Sequence, residues 1–330
     1  MILAGDVGGT KCNLALYSQG EGQLQQIAKR RYESRLFSSF DEIIAKFLAG
    51  TSALIRETGG GNIAAAGFGV AGPVIDSRVK ATNLPWVVDG PALARLLATE
   101  HVVLLNDLEA TGYSLAHLDP SEISLLNPGI AAPQATQILL AAGTGLGEAI
   151  LFWDGRRYVV ASSEGGHADF APRTEQEIGL LRHLKQQHPF VSAELILSGR
   201  GFRTVHEYLD PSARHPSFDS PGADPAPEIT RLGLEGSCPV CVQTLDLWTA
   251  IYGAEAGNLA LKALARGGVW VAGGIATKIR KKMEDGTFFR AFCEKEKFGA
   301  LLAQIPIRMV LNEEAPLLGA ASQAARATCP

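Results

Sequence analysis

The sequence lacks the features that mark a nucleic-acid-binding, membrane-bound or secreted chain. Charge of one sign is missing: 30 Lys and Arg stand against 34 Asp and Glu, a net charge of −4. That balance argues against nucleic acid or anionic lipid as a partner. The one basic cluster, residues 278–282 (KIRKK), reads as a solvated helix end. No apolar run approaches the length of a bilayer span. No charged segment precedes an apolar one at the start, so no secretory signal is expected. Cysteine is scarce and odd in number: Cys12, Cys238, Cys241, Cys293 and Cys329 do not make a disulfide framework and fit a reduced cytoplasm. Cys238-Pro239-Val240-Cys241 is a single CxxC with no second pair and no His at finger spacing. It reads as a helix start with two semi-buried thiols, and no metal ligands are expected.

What is present is enough chain, 330 residues with 46% hydrophobic, for two domains with a core each. The most informative stretch is Met1–Tyr17, MILAGDVGGTKCNLALY. An apolar run leads into Gly5-Asp6-Val7-Gly8-Gly9-Thr10, and apolar residues alternate afterwards at Cys12, Leu14 and Leu16. Period-two alternation after Gly-Gly predicts a strand, a tight turn and a second strand. Successive backbone N–H groups in such a turn form an anion-binding concavity, and an adjacent carboxylate suits a Mg²⁺–phosphate pair. The alternative is an ordinary hairpin with Asp6 as a turn residue.

Further on, the pattern predicts a strand over Gln25–Tyr32, a helix near Ser39–Ile55, a breaker at 58–62 and a buried strand over Ile63–Val70. A helix over 91–98 and a strand over His101–Leu105 follow. The strand–turn–strand–turn–strand unit returns with Thr136–Ala142, Gly143-Thr144-Gly145-Leu146-Gly147, Glu148–Trp153 and Arg157–Ala161. A repeated unit implies two similar lobes. Thr174 and Glu177 form a capping box for a helix that turns Ile178, Leu181 and Leu184 inward. Asp210–Glu228, with five prolines, reads as an exposed loop. Helices near 240–265, a strand over Gly267–Ala272 and a last helix over Leu317–Ala327, packed back onto the first lobe, complete the pattern.

The stretches GDVGGT (5–10), LLND (104–107), AAGTGLG (141–147), EGGHADFAP (164–172), SAELILSGRG (192–201) and AGGI (272–275) together resemble the bacterial glucokinase family, within the actin/hexokinase/Hsp70 ATPase superfamily. The resemblance spans essentially the whole chain. Relatives of the ROK type usually carry a cysteine-rich zinc motif after the Glu–His segment, and none is present here. The resemblance implies an α/β protein of two ribonuclease H-like lobes, an actin-like ATPase fold with a central cleft. The expected division is a small domain over 1–110 plus 312–330 and a large one over 111–311.

Asp107 follows a buried strand, and a carboxylate at a strand's carboxyl end points into a crevice. It is the candidate base that accepts a hydroxyl proton during phosphoryl transfer; an Asn106-Asp107 helix cap is the second reading of the same residues and does not exclude the first. Asn106 can orient a sugar through its amide. Glu164 and His167 flank a flexible Gly-Gly corner and offer acceptors and donors to sugar hydroxyls. Glu194 joins them by resemblance; alone it reads as a first-turn glutamate favoured by the helix dipole. Asp169 and His188 are left as structural. Gly143–Gly147 fails as a dinucleotide fingerprint on spacing and context, so Gly143, Thr144 and Gly145 are assigned to phosphate. Gly273 and Gly274 are placed against adenine by resemblance, with helix capping or packing as the alternative. Lys11 reaches phosphate or points to solvent. Residues 69–73 and 82–86 are expected on the sugar side of the cleft.

The expected activity is transfer of phosphate from ATP, with Mg²⁺, to the C6 hydroxyl of glucose by a cytoplasmic homodimer, lobe closure excluding water. Another hexose as substrate, or a sugar-sensing protein without catalysis on the same fold, remain the alternatives. The absence of a DNA-binding segment before Met1 weighs against the sensor.

Overall fold

The computed structural model describes residues 1–20, 23–57, 62–81, 84–213, 215, 218 and 224–328. Residues 58–61 of the expected breaker, Thr82, Asn83 and Cys329 lie outside the described residues. The chain begins with β1 (Ile2–Val7), β2 (Lys11–Gly20), β3 (Gln23–Glu33) and α1 (Phe40–Glu57). It continues with β4 (Ala65–Val70), the short strands β5 (Val74–Ile75), β6 (Arg78–Lys80) and β7 (Val87–Asp89), α2 (Gly90–Leu97), β8 (Val102–Asn106) and α3 (Asp107–Ser114). Then come β9 (Ile123–Asn127), β10 (Gln137–Ala142), β11 (Leu146–Trp153), β12 (Tyr158–Ser163), α4 (Glu175–Leu184), α5 (Ala193–Ile196), α6 (Gly199–Leu209), α7 (Ala226–Glu235) and α8 (Pro239–Ala263). The last elements are β13 (Gly268–Ala272), α9 (Gly274–Lys278), α10 (Arg280–Met283), α11 (Thr287–Cys293), α12 (Gly299–Leu302), β14 (Ile307–Val310) and α13 (Ala315–Ala327).

The chain divides into two compact units, Met1–Asp119 with Asn312–Pro330, and Pro120–Leu311. In the first, the sheet order is β3-β2-β1-β4-β8. β1 runs antiparallel to β2 and parallel to β4, which is parallel to β8. Side chains alternate across a strand, so β1 serves two cores. Leu3 and Val7 pack with Leu14, Phe40, Phe47 and Phe68. Ile2 and Ala4 pack on the opposite face with Ala110, Leu317, Ala320 and Ala324. That second face is built of small residues because α13 comes close: a Cβ on Gly67 would overlap the Ala320 carbonyl oxygen, and one on Gly319 the Ala110 carbonyl oxygen. The expected return of the last helix to the first lobe is therefore observed.

In the second unit the order is β12-β11-β10-β13-β14-β9. β10 runs antiparallel to β11 and parallel to β13, and β13 is parallel to β14. The first five strands repeat the pattern of the first unit, as the recurring sequence unit predicts. The core lies around α8, where Trp248 stacks on Phe202 at a centroid distance of 4.8 Å and Tyr252 meets Phe288 edge-on at 5.5 Å.

Several local expectations change. β9 and β14, only five and four residues long and too short to show a period, were not foreseen. The proline-rich stretch is not all loop: α7 opens at Ala226 with a proline in its first turn, where the missing N–H costs nothing, and Phe218 is buried. Thr174 caps α4 through the Glu177 N–H, but the Glu177 side chain accepts from the Arg173 N–H instead of closing the box, and Leu180 rather than Ile178 is buried. Lys282 is not a solvated helix end; it is largely buried and paired with Asp246 and Asp285. Leu84 and Trp86 are buried in the first core.

Candidate active site

In the first unit the carboxyl edge of the parallel strands β1, β4 and β8 collects the predicted residues. Asp6 sits one residue before the end of β1, opposite Asn13 on β2 and Gly69 on β4. Asn13 Nδ2 donates to Asp6 Oδ2 at 3.1 Å. Burial pushes the Asp6 carboxyl above its ordinary range, against the lowering effects of Asn13 and Lys11. Asn13 was not foreseen; its signal was its place across the hairpin from Asp6. The turn Gly8-Gly9-Thr10 is closed by the Gly8 N–H to the Lys11 carbonyl at 3.0 Å and tied down by the Ser34 hydroxyl, which donates to the Gly8 carbonyl at 2.7 Å. Thr10 and Lys11 are exposed. Gly5 is required by packing, since a Cβ there would lie 2.7 Å from Phe68.

β8 delivers Asn106 and Asp107 to the same edge. Asn106 caps α3: its Oδ1 accepts from the Leu108 N–H at 2.9 Å, and Glu109 Oε2 accepts from the Asn106 N–H at 3.0 Å. Asn106 Nδ2 donates to the Gly72 carbonyl at 3.2 Å, so the 69–73 segment touches the expected sugar-binding amide. Asp107 is the first residue of α3, half-buried, with Oδ1 accepting from the Leu108 N–H at 2.8 Å. A Cβ on Gly69 would lie 2.9 Å from Ala110 Cβ and 3.7 Å from Asp107 Cα. Glycine at this position lets α3 start against the strand that pairs with Asp6.

In the second unit the turn Gly143-Thr144-Gly145 joins β10 to β11. The Gly143 N–H donates to the Gly145 carbonyl at 2.8 Å, and the Gly199 N–H donates to the Gly143 carbonyl at 2.9 Å. Glu194, in the first turn of α5, accepts from the Leu146 N–H at 2.9 Å through Oε2. A Cβ on Gly145 would overlap that oxygen, whereas one on Gly143 meets nothing within 4 Å. Gly143 thus leaves open space where a side chain would stand, although its own N–H and carbonyl are paired, and Thr144 beside it is exposed.

The structure joins Glu164, His167 and Glu194. His167 Nε2 lies 3.8 Å from a Glu164 oxygen, and His167 Nδ1 lies 3.8 Å from Glu194 Oε1. Backbone pairing brings them together: the Ala193 N–H donates to the Ala168 carbonyl, the Phe170 N–H to the Val191 carbonyl, both at 3.0 Å. Asp169 serves in this seam, bridging Ser192 through the backbone. Glu194 thus holds the glycine turn and faces His167 at once, a double role that neither motif announces alone.

Glu148 was missed. It is 2% exposed, and a Cβ on Gly165 would overlap its Oε2. Desolvation, and then the Glu255 carboxylate, raise its pKa to about 7. A lone acid in a strand between apolar residues carries no sequence signal of burial.

Gly273 ends β13 with φ +88°, a conformation that favours glycine, and a Cβ there would overlap the Ala142 carbonyl oxygen. Gly274 opens α9 with nothing within 4 Å of a Cβ. The strand-end glycines therefore present flat, accessible backbone next to β10.

The expectation about Cys238 and Cys241 also changes. The two sulfurs lie 3.7 and 3.4 Å from His215 Nε2, and His206 completes a group whose ligand atoms all lie within 4.8 Å of one another. Neither histidine stands at finger spacing, so the sequence pattern concealed the group.

Two sheets of the same strand order, each opening on a three-residue glycine hairpin, define a duplicated α/β architecture, the actin-like ATPase fold. Solved structures share it. A glucokinase from an Antarctic psychrotroph superimposes with a TM-score of 0.85 at 27% identity, covering 98% of both chains. A ROK family glucokinase from Streptomyces griseus, in complex with glucose and AMPPNP, gives 0.65 at 20% identity, covering 98% of this chain and 99% of that one. The Glucokinase family description matches residues 3–327. A glucokinase of Nostoc sp. strain PCC 7120 is 37% identical over 347 residues, 99% of each chain. The chain belongs to the glucokinase family.

Proposed function

We propose that this protein transfers the terminal phosphoryl group of ATP to the C6 hydroxyl of glucose, with Asp107 as the general base. The observation that carries the reading is the edge of the first sheet, where parallel strands end in Asp6 and in Asn106-Asp107 beside an open glycine turn. Family membership supports the substrate pair.

The chemistry divides among the residues. Asp107, held at the α3 N-terminus by its hydrogen bond from the Leu108 N–H, accepts the C6 hydroxyl proton. The freed oxygen attacks the γ-phosphorus in line, the bond to the β-phosphate oxygen breaks, and ADP leaves. Asn106, Glu164, His167 and Glu194 hold the hexose hydroxyls. The backbone of Gly8-Gly9-Thr10 and Gly143-Thr144-Gly145 receives phosphate oxygens, and Gly273-Gly274 receives the adenine. Asp6 fits a divalent cation, directly or through water, because it is a half-buried carboxylate whose desolvation a cation relieves. Bound there, Mg²⁺ would neutralise phosphate charge. The reading keeps 1–110 with 312–330 as the small domain and 111–311 as the large one, while the compact first unit runs on to Asp119; sedimentation would test the expected homodimer, taken as cytoplasmic. Among the described residues no helix is long and apolar enough to cross a membrane.

A coupled assay of the purified chain across sugars and phosphate donors tests the activity. Glucose with ATP should give the highest kcat/KM, and Asp107→Ala should lower kcat by roughly 10²–10⁴ while circular dichroism stays unchanged. Near-normal turnover by that variant removes Asp107 from the base role. A better hexose would reassign the substrate, and binding of glucose without turnover would favour a sensor.

A further inference from the structure

The cluster His206, His215, Cys238 and Cys241 takes no part in the proposed reaction. We propose that it is a tetrahedral Zn²⁺ site that clasps the end of α6, the proline-rich segment after it and the start of α8. His206 comes from the last turn of α6, His215 from the following segment, Cys238 from the N-cap position of α8 and Cys241 from its first turn. A CxxC at a helix start turns both sulfurs toward one point, where His206 and His215 meet them.

Three observations converge on a metal. The first is spacing. Zn–S bonds of about 2.3 Å and Zn–N bonds of about 2.05 Å at the tetrahedral angle separate sulfur from nitrogen by about 3.6 Å. The structure has 3.7 Å from Cys238 and 3.4 Å from Cys241 to His215 Nε2. The second is an unsatisfied group. His206 is fully buried, and neither of its ring nitrogens has a hydrogen-bond partner. Buried polar atoms without partners are rare because desolvation is costly, and a metal ligand is one that satisfies an imidazole nitrogen. The third is enclosure. The Phe218 ring packs edge-on against His206 at 5.0 Å and His215 at 5.3 Å, and Cys241 is fully buried. Dry walls strengthen coordination and keep competing water away.

The donor set selects the ion. Two thiolates with two imidazoles in a compact tetrahedron suit Zn²⁺, whereas Mg²⁺ and Ca²⁺ want oxygen. Four protein ligands leave no open position, which marks a structural rather than a catalytic centre. On binding, each thiol releases its proton to solvent as a Zn–S bond forms, and both imidazoles bind neutral. No redox change is involved.

The test uses the full chain and does not depend on its kinase activity. Protein purified with reductant and Zn²⁺, then freed of loose metal, should retain about one zinc per chain by elemental analysis. After chelation under reductant, Co²⁺ should produce the visible bands of tetrahedral cobalt and a thiolate-to-cobalt charge-transfer band. Cys238→Ser and Cys241→Ser should each weaken binding by at least about 100-fold, and Cys293→Ser should change nothing. Because a variant can fail to fold, alkylation of the unaltered chain provides an independent reading: zinc should protect Cys238 and Cys241 from iodoacetamide and leave Cys293 as reactive as before. Absence of retained zinc and of cobalt bands would overturn the proposal. So would equal zinc content in the Cys238→Ser/Cys241→Ser double variant, or alkylation rates indifferent to zinc.

Discussion

The hairpin β1–β2 and the hairpin β10–β11 open sheets of the same order and enclose turns of the same length, yet the turns are held differently. The first is tied by a neutral group, the Ser34 hydroxyl, and keeps a carboxylate, Asp6, next to it on the strand. The second has Ala141 at the corresponding place on β10 and takes its carboxylate from afar, Glu194 binding the Leu146 N–H. The fifth strands diverge too. β8 runs straight into Asn106-Asp107 and a helix, whereas β14 ends at Val310 and gains an antiparallel neighbour in β9. One scaffold used twice thus ends in strand-edge carboxylates, Asp6 and Asp107, in one half, and in the other holds Glu194 and His167 on a backbone-paired seam; the proposed function gives the first the metal and proton chemistry and the second the hydroxyls. The lesson is that a duplicated backbone keeps its hydrogen-bonding turn while side chains at equivalent positions drift apart in role.

The sharpest way to break that division is to split kcat from KM. Asp107→Asn keeps size and loses the base, and should lower kcat by roughly 10²–10⁴ with little change in glucose KM. Glu164→Gln in the other half should do the reverse, raising glucose KM by about 10-fold, the scale of a hydrogen bond to a charged group, with kcat nearly kept. Steady-state kinetics reading the opposite pattern would abolish the contrast.

Next in size is a packing test. Gly67→Ala drives a methyl group into the Ala320 carbonyl of α13 and should destabilise the first half by about 3 kcal/mol, seen as a lower urea midpoint. Gly143→Ala points into open space; its melting temperature should stay within about 1 °C of the unaltered chain while the KM for ATP rises. Equal thermal stability of the two variants would refute the packing argument.

Glu148 offers a pH test confined to the second half. Its folded pKa, about 7, lies above the ordinary 4.5. The folded state therefore binds more protons between those values, so stability is fullest below about pH 4.5 and falls as pH rises toward 7. The loss is on the order of 3 kcal/mol. Glu148→Gln should flatten that part of the curve in urea titrations at several pH values. A variant with the same slope would assign the dependence elsewhere.

Much of the scaffold was legible. The alternation in Met1–Tyr17 places β1, the turn and the start of β2 within a residue of where they lie, and β2 runs three residues further, because pleat and turn chemistry are local. Asn106 and Asp107 were readable as both cap and strand end, and they are both. Glu194 was not readable in full: its bond to Leu146 spans 48 positions. The burial of Glu148 depends on Gly165 and Glu255, which no period connects. The two histidines beside Cys238 and Cys241 were invisible to spacing rules because a helix and a proline-rich segment intervene.

By itself, then, the chain's order of residues determined where the two strand–turn–strand units lie, that the unit occurs twice, and which acids follow strands. These follow from dihedral preferences and side-chain periodicity among neighbours. Only the tertiary structure decided that His167 stands between Glu164 and Glu194, that Glu148 is buried beneath Gly165, and that His206, His215, Cys238 and Cys241 meet. Such meetings depend on how distant segments pack, and close packing is a property of the whole core rather than of any window of sequence.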